Sequence, residues 1–338
     1  MTLDDRFDDL VASLAGFHSA WLVYLGLELG LFVELRGAGE AGLTSAALAN
    51  ATGCRAEAIE TWAWAADAHG LATLEGDRLR LDADTAVVLL EEQRPEYLGG
   101  QFVHSVIASL DWGGMLGFFR SGTPIPSRPD RYRTSIERLT VQDVAVFFQE
   151  VLAALPQLAA DLGQGGRVID IHCGGGRWLI AMARRFPSLD LVGVEAEPDS
   201  VARARAHVVE AGLGDRIEIR ETGVTDLGGG PYVLAYFQYA LHQLRDPAAA
   251  LATAWEALAP GGRIVVLDWP LPASPDEFRT RHGELIAGVQ LDELYQGTAL
   301  VTRDGFRAWF AAARLPEPTI VDLPSGASAI VLERPSVS

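Results

Sequence analysis

The chain contains no lysine: every one of its 27 basic residues is an arginine. Schiff-base chemistry on a lysine amine and a phosphate-cradling P-loop lysine are therefore excluded. Cysteine is nearly absent too. Cys54 and Cys173 are too few for a disulfide framework or a multi-cysteine metal centre. No two histidines have ligand spacing on one element, so no metal is expected. Positive charge as a whole is scarce, with 27 basic residues against 45 acidic ones and a net charge of -18. That balance opposes general affinity for nucleic acid or for an anionic membrane. The opening MTLDDRFDD is acidic and lacks the basic start of a secretion signal. The apolar run from Ala20 to Val33 is shorter than a membrane span and is interrupted by Glu28. A cytoplasmic protein is expected.

What the chain does have is a stretch that organises the rest, Arg167 to Arg177, RVIDIHCGGGR. A short apolar strand, Val168 to Ile171, runs into three glycines at 174 to 176. An apolar helical pattern (Trp178, Leu179, Met182, Ala183) follows at once. Strand, glycine turn and helix let a ligand lie against the backbone where unpaired N–H groups point outward. The next strand, Leu189 to Val194, ends in Glu195, a carboxylate of the kind that accepts hydrogen bonds from a ribose diol. Alternation then continues. Strands are expected at 217–219, 232–237 and 263–267, with helices at 198–211 and 247–258, the latter closed by a Pro-Gly-Gly turn at 260–262. A helical insertion at 275–295, a helix at 303–313 and two strands near 317–322 and 327–333 complete the pattern. This order predicts an α/β fold with a mostly parallel sheet covered by helices. Ligands of such sheets bind beyond the carboxyl ends of the strands, where His172, Glu195, Gln238 to His242 and Trp269 fall.

Upstream, 338 residues suggest more than one domain. Residues 7 to 35 read as one or two helices so apolar that they need cover on most sides. Thr44 or Ser45 is a plausible N-cap, Gly70 stops a later helix, and Gly76 with Asp77 marks a hairpin. Two short helices and a hairpin form a winged-helix pattern. Residues 1 to 84 carry five arginines against fourteen acidic residues, so a structural or dimerising role is expected over DNA binding. The stretch 91–162 is expected to be a helical linker that helps to wall a substrate pocket, with His104, Trp112 and Phe148 as candidate lining residues beside Trp269. For most of these aromatics packing between two domains is expected over ligand contact, and for His104 a core or interface role is expected over catalysis.

Taken together, these residues resemble the class I S-adenosylmethionine-dependent methyltransferases, closest to small-molecule O-methyltransferases with an N-terminal winged-helix dimerisation domain. The family motif D-x-G-x-G-x-G stands here as Asp170, Ile171, His172, Cys173, Gly174, Gly175 and Gly176. Its acidic ribose ligand falls on Glu195. The leucine-histidine signature after strand 4 stands as Leu241, His242, Gln243, Leu244, Arg245 and Asp246. The resemblance implies a Rossmann-like domain with a seven-stranded sheet over residues 163–338, a winged-helix-like domain over 1–90, and S-adenosylmethionine as cofactor. It implies a homodimer formed through the N-terminal domain. The cofactor residues would be Asp170, His172, Gly174, Gly176, Glu195, Asp226 and Gln238, and His242 would be the catalytic base. The chain departs from the family at three places. His172 replaces the first glycine, Thr222 and Gly223 stand where Gly-Asp is common, with Asp226 a possible substitute, and Pro231-Tyr232 opens strand 4.

Three roles remain open for His172: touching the cofactor's carboxylate, closing the pocket, or marking loss of the cofactor. The glutamates that orient the family's histidine have no secure counterpart, although Asp292 and Glu293 lie in the right segment. The expected activity is O-methylation of a small, aromatic or polyketide-like molecule in natural-product biosynthesis. The alternatives are a non-methylation reaction in the same fold, or a metabolite-sensing transcriptional regulator.

Overall fold

The computed structural model describes residues 1–336, and its chain forms two units. One comprises Met1–Gly113 with Arg128–Ala145, the other Gly114–Ser127 with the chain from Val146 onward. The expected linker over 91–162 is thus not an element of its own. Helices Gly99–Ser109 and Asp130–Leu139 pack on each other in the first unit, whereas Met115–Ser121 and the π-turn Phe147–Val151 belong to the second.

In the first unit, helices Ser45–Thr52 and Ala56–Ala68 lead into a hairpin of β2 (Thr73–Glu75) and β3 (Arg78–Arg80), with β1 (Leu43–Thr44) pairing to β3. Thr44 caps its helix by accepting from the Ala47 N–H at 3.1 Å, and left-handed Gly53 ends it. The core joins Leu31, Phe32, Leu48, Ile59, Trp62, Leu79 and Leu89, and the Trp62 indole donates to the Leu22 carbonyl at 3.1 Å.

The helix Leu3–Glu28 corrects one expectation. Its charges gather in the first turns, so residues 10 to 27 carry none. The result is an 18-residue window of mean hydropathy 1.5, of which only 11% is buried. By length and composition this helix could cross a membrane. Phe7, Leu14 and Phe17 are each more than half exposed.

The second unit is built on a seven-stranded sheet in the order β6-β5-β4-β7-β8-β10-β9. Strands β4 (Gly166–Ile171), β5 (Leu189–Glu195), β6 (Ile217–Glu221), β7 (Tyr232–Gln238) and β8 (Leu258–Asp268) run parallel. β9 (Thr319–Asp322) and β10 (Ser328–Glu333) close the edge antiparallel. Ile169, Val192, Phe237 and Val266 on one face meet Leu251, Phe306 and Phe310 from the helices Pro247–Glu256 and Arg303–Ala312. On the other, Trp178 stacks on Tyr236 at 4.3 Å between ring centroids. Gly193 lets this face close, since a Cβ there would lie 2.6 Å from Leu179 Cδ1 and 2.7 Å from Cys173 Sγ.

The expected Pro-Gly-Gly stop before strand 5 is instead inside β8. The strand starts at Leu258, pairs with Tyr232, and shifts register before Arg263 meets Leu234. The Gly261 N–H is taken by the Arg334 carbonyl, so the turn stays in the sheet as a bulge.

Candidate active site

Two clusters of ionisable side chains sit at the carboxyl ends of the central strands, both within the second unit. The first surrounds the glycine turn. After β4 the chain turns at His172, whose φ of 67° lies in the left-handed region that favours glycine, and Gly174 and Gly176 follow at 52° and 72°. The N–H groups of His172 and Cys173 both donate to the Val194 carbonyl, at 2.9 and 3.0 Å, and His207 Nδ1 lies 2.9 Å from the Gly175 carbonyl. Beside Gly174 the space is open: a Cβ there would meet nothing within 4 Å.

Glu195 ends β5 as a buried carboxylate. Its Oε1 accepts from the N–H groups of Ala196 and Glu197 at 2.8 and 3.0 Å. Its Oε2 accepts from the Gly174 N–H at 3.1 Å and lies 3.1 Å from His172 Nδ1. Burial would raise the Glu195 carboxyl, but the bond and charge of His172 outweigh it and hold it below its ordinary range. Burial likewise works against a charge on His172, yet Glu195 and Asp170 together raise it, helped by a hydrogen bond that the imidazole donates to Gln243. Asp170 is pushed up to about 8 by burial, which the nearby His172 only partly offsets. Burial also lifts the Cys173 thiol well above its usual value, so it is an inert packing group.

The second cluster centres on His242, buried in the 3-10 turn Leu241–Gln243 that follows β7. Its Nδ1 lies 2.8 Å from Oδ2 of Asp268, the last residue of β8 and fully buried. The other Asp268 oxygen accepts from the Trp269 N–H at 2.8 Å. Glu293, on the helix Arg281–Gln296, puts Oε2 3.8 Å from His242 Nε2 and accepts from Thr298 Oγ1 at 2.5 Å. Burial opposes a proton on His242, but Asp268 first and Glu293 second overcome it and push the imidazole up to about 10. Asp268 fixes the proton at Nδ1 and leaves Nε2 as the reactive nitrogen. Nε2 makes no hydrogen bond of normal length, with the Glu293 carboxylate standing off at 3.8 Å, and Nε1 of Trp269 is buried without a hydrogen-bond partner. Orphaned buried polar atoms are rare and point to a ligand. The clusters adjoin through neighbouring Gln243, which bonds His172. Tyr239, at the end of neighbouring β7, also has a positive φ, 47°. Strained backbone positions such as these, at the ends of the adjacent strands β4 and β7, are typical of functional sites.

The other candidates lie as follows. Gln238 is half-buried at the end of β7, and Asp226 is exposed in the loop after β6, its N–H on the Gly223 carbonyl at 3.1 Å. Trp269 packs edge-on against Tyr239 at 5.3 Å. Phe148 instead faces Phe147 and Phe186, the residue that ends the helix Arg177–Arg185. His104 and Trp112 belong to the first unit, where His104 Nδ1 lies 3.0 Å from Ser135 Oγ and its ring packs on Tyr132. Sequence reasoning assigned no role to Asp268, although a carboxylate ending an otherwise apolar central strand is a usable signal, because such a residue is rarely buried without a partner. It also passed over Gln243 and His207.

The turn fits a nucleoside cofactor of the kind the resemblance implies. It offers a Cβ-free left-handed position facing open space and a buried carboxylate at the next strand end, with His172 as that carboxylate's only side-chain donor among the described residues.

Comparisons with known proteins agree with the fold. The human N-acetylserotonin methyltransferase solved with SAM is similar over 100% of this chain and 99% of its own, with a TM-score of 0.71 at 17% identity. PigF, solved with SAH, is similar over 99% of both chains, with a TM-score of 0.75 at 21% identity. A ubiquinone biosynthesis O-methyltransferase of Cereibacter sphaeroides is 34% identical over 132 residues, 38% of this chain and 49% of the relative. The chain spans about half the length of the curated relatives it matches. A family model described as a methyltransferase domain matches residues 145–314, half of the chain, with the five parallel strands of the sheet and both clusters. The chain belongs to this methyltransferase-domain family.

Proposed function

We propose that the protein transfers a methyl group from S-adenosylmethionine to a hydroxyl of a small acceptor, aromatic or polyketide-like in character. One observation carries the reading. A buried histidine at the carboxyl end of the central strands is oriented through Nδ1 by a fully buried aspartate, while its Nε2 makes no hydrogen bond of normal length and has the Glu293 carboxylate 3.8 Å away. The O-methyltransferase name of the Cereibacter sphaeroides relative supports oxygen as the atom modified.

When bound, the cofactor supplies a methyl group on a positively charged sulfonium. Glu195 would hold its ribose, with the Asp170, His172, Gly174 and Gly176 turn beneath it and Asp226 and Gln238 as further contacts. Catalysis then rests largely on holding the acceptor oxygen in line. His242 handles the proton. In the free protein it carries one, so Nε2 can accept the hydroxyl proton only after its own has left for solvent. A phenol suits such a site, because its anion can pair with the imidazolium once that proton is gone. Trp269 and Tyr239 supply aromatic wall.

The apolar helix Leu3–Glu28 supports a homodimer, with Phe7, Leu14 and Phe17 covered by a second copy. Such cover keeps the helix out of a bilayer, which fits a cytoplasmic protein. A monomer by light scattering, or a protein recovered only with the membrane pellet, contradicts this part.

A second reading, a reaction other than methylation in the same fold, draws on His172 filling the carboxylate that a ribose would need. Calorimetric titration with S-adenosylmethionine, followed by a panel of phenols and hydroxylated polyketides read by mass spectrometry, separates the two. The first reading expects cofactor binding and a methylated product that disappears in His242→Gln. Cofactor bound with no methylated product from any acceptor favours the second.

A further inference from the structure

An ionised carboxylate has about four acceptor positions. At Glu195 all four are in use, by the N–H groups of Ala196, Glu197 and Gly174 and by the His172 imidazole. A ribose diol needs two of them. The three N–H groups cannot give way: Ala196 and Glu197 follow Glu195 directly, and Gly174 is fixed in a turn whose neighbouring N–H groups are bonded to the Val194 carbonyl. His172 is different. It is a side chain, partly exposed, with a second hydrogen-bond partner in Gln243 on the opposite side of β4 from Glu195. It also holds a left-handed backbone position at which glycine would carry no side chain and no strain.

We propose that His172 is an internal occupant of the ribose site, which holds Glu195 in the free protein and must leave it when the cofactor binds. The inference rests on the assignment of S-adenosylmethionine to this site. The imidazole satisfies a carboxylate that would otherwise be buried short of donors, and Gln243 retains the ring after its release. The cost of parting His172 from Glu195 is taken from cofactor affinity, so the substitution of histidine for glycine sets a weaker binding constant without removing the site.

Calorimetric titration of the full chain with S-adenosylhomocysteine tests this, comparing wild type with His172→Gly, which restores a residue suited to that backbone. Because a hydrogen bond to a charged group is broken in one protein and absent in the other, His172→Gly is expected to bind roughly tenfold tighter or more. Equal or weaker binding by the glycine variant, with clear binding by wild type, overturns the proposal and makes His172 a bystander or a direct cofactor contact. Binding by neither protein overturns the cofactor assignment itself. A ligand-free check is the His172 imidazole resonance, which should shift in Glu195→Gln and, in wild type, on addition of S-adenosylhomocysteine. A His172 signal indifferent to Glu195→Gln shows that the pair does not form, and refutes the proposal independently of any ligand.

Discussion

Asp268→Asn should turn His242 from a cation that loses its proton only at about pH 10 into a histidine that titrates near neutrality. In the wild type the Asp268 carboxylate lies 2.8 Å from Nδ1, fully buried, and dominates the forces that raise the imidazole to about 10. Two unit charges about 4 Å apart at an effective dielectric near 20 interact by about 4 kcal/mol, which is about three pH units of titration. Asparagine keeps the shape and can still accept from Nδ1, so what is lost is mainly the charge. The variant should therefore titrate at about 7. The sign for stability follows. A histidine raised on folding contributes stability that is complete below its unfolded value of 6.5 and lost as pH rises through about 10. In the variant that loss is confined to the neighbourhood of pH 7. The assay is the imidazole Cε1–Hε1 correlation spectrum of the seven histidines, with His242 identified by its absence in His242→Gln. A wild-type His242 that titrates near 6.5, or an Asp268→Asn signal unmoved from the alkaline range, refutes the reasoning.

Other predictions concern the same elements. In wild type, kcat/KM for an acceptor should rise with pH from neutrality towards about 10, because only neutral His242 accepts a proton, and a rate that falls over that range contradicts the role. Asp170 is raised to about 8 on folding, so the unfolded chain ionises first and stability falls as pH rises from about 4 to about 8, by up to about 1.4 kcal/mol per pH unit. Urea unfolding at pH 5 and pH 8 should show that slope in wild type and a shallower one in Asp170→Asn. Gly193→Ala forces a Cβ to within 2.7 Å of both Leu179 and Cys173, an overpacking worth about 1–3 kcal/mol, read as a lowered melting temperature. A melting temperature equal to wild type shows that the helix Arg177–Arg185 has room to shift.

The sequence revealed those parts of the site that depend on near neighbours. The strand before His172, the glycines after it and Glu195 at the next strand end are local patterns with a fixed period, and the element order of a mostly parallel sheet followed from their alternation. Asp268 was not assigned, because its relation to His242 is a pairing of two strand ends, set by the Gln238 and Leu267 register. The role of His172 stayed open for the same reason: its partners are Glu195 at the end of β5 and Gln243 in the turn after β7, the two strands that flank β4. Glu293 was in view without a register, which only the packing of the helix Arg281–Gln296 supplies. The apolar length of the first helix was underestimated because the count began at Ala20, whereas the charge-free stretch begins at Leu10. The division of 91–162 between the two units was not legible, because tertiary contacts decide which unit each of its helices joins.

The most direct test of the account is equilibrium binding of S-adenosylmethionine to wild type, Glu195→Ala and His242→Gln. The account predicts binding by wild type, its loss in Glu195→Ala and its survival in His242→Gln, since one cluster holds the cofactor and the other the proton. Binding that survives in Glu195→Ala, or that depends on His242 alone, would contradict it.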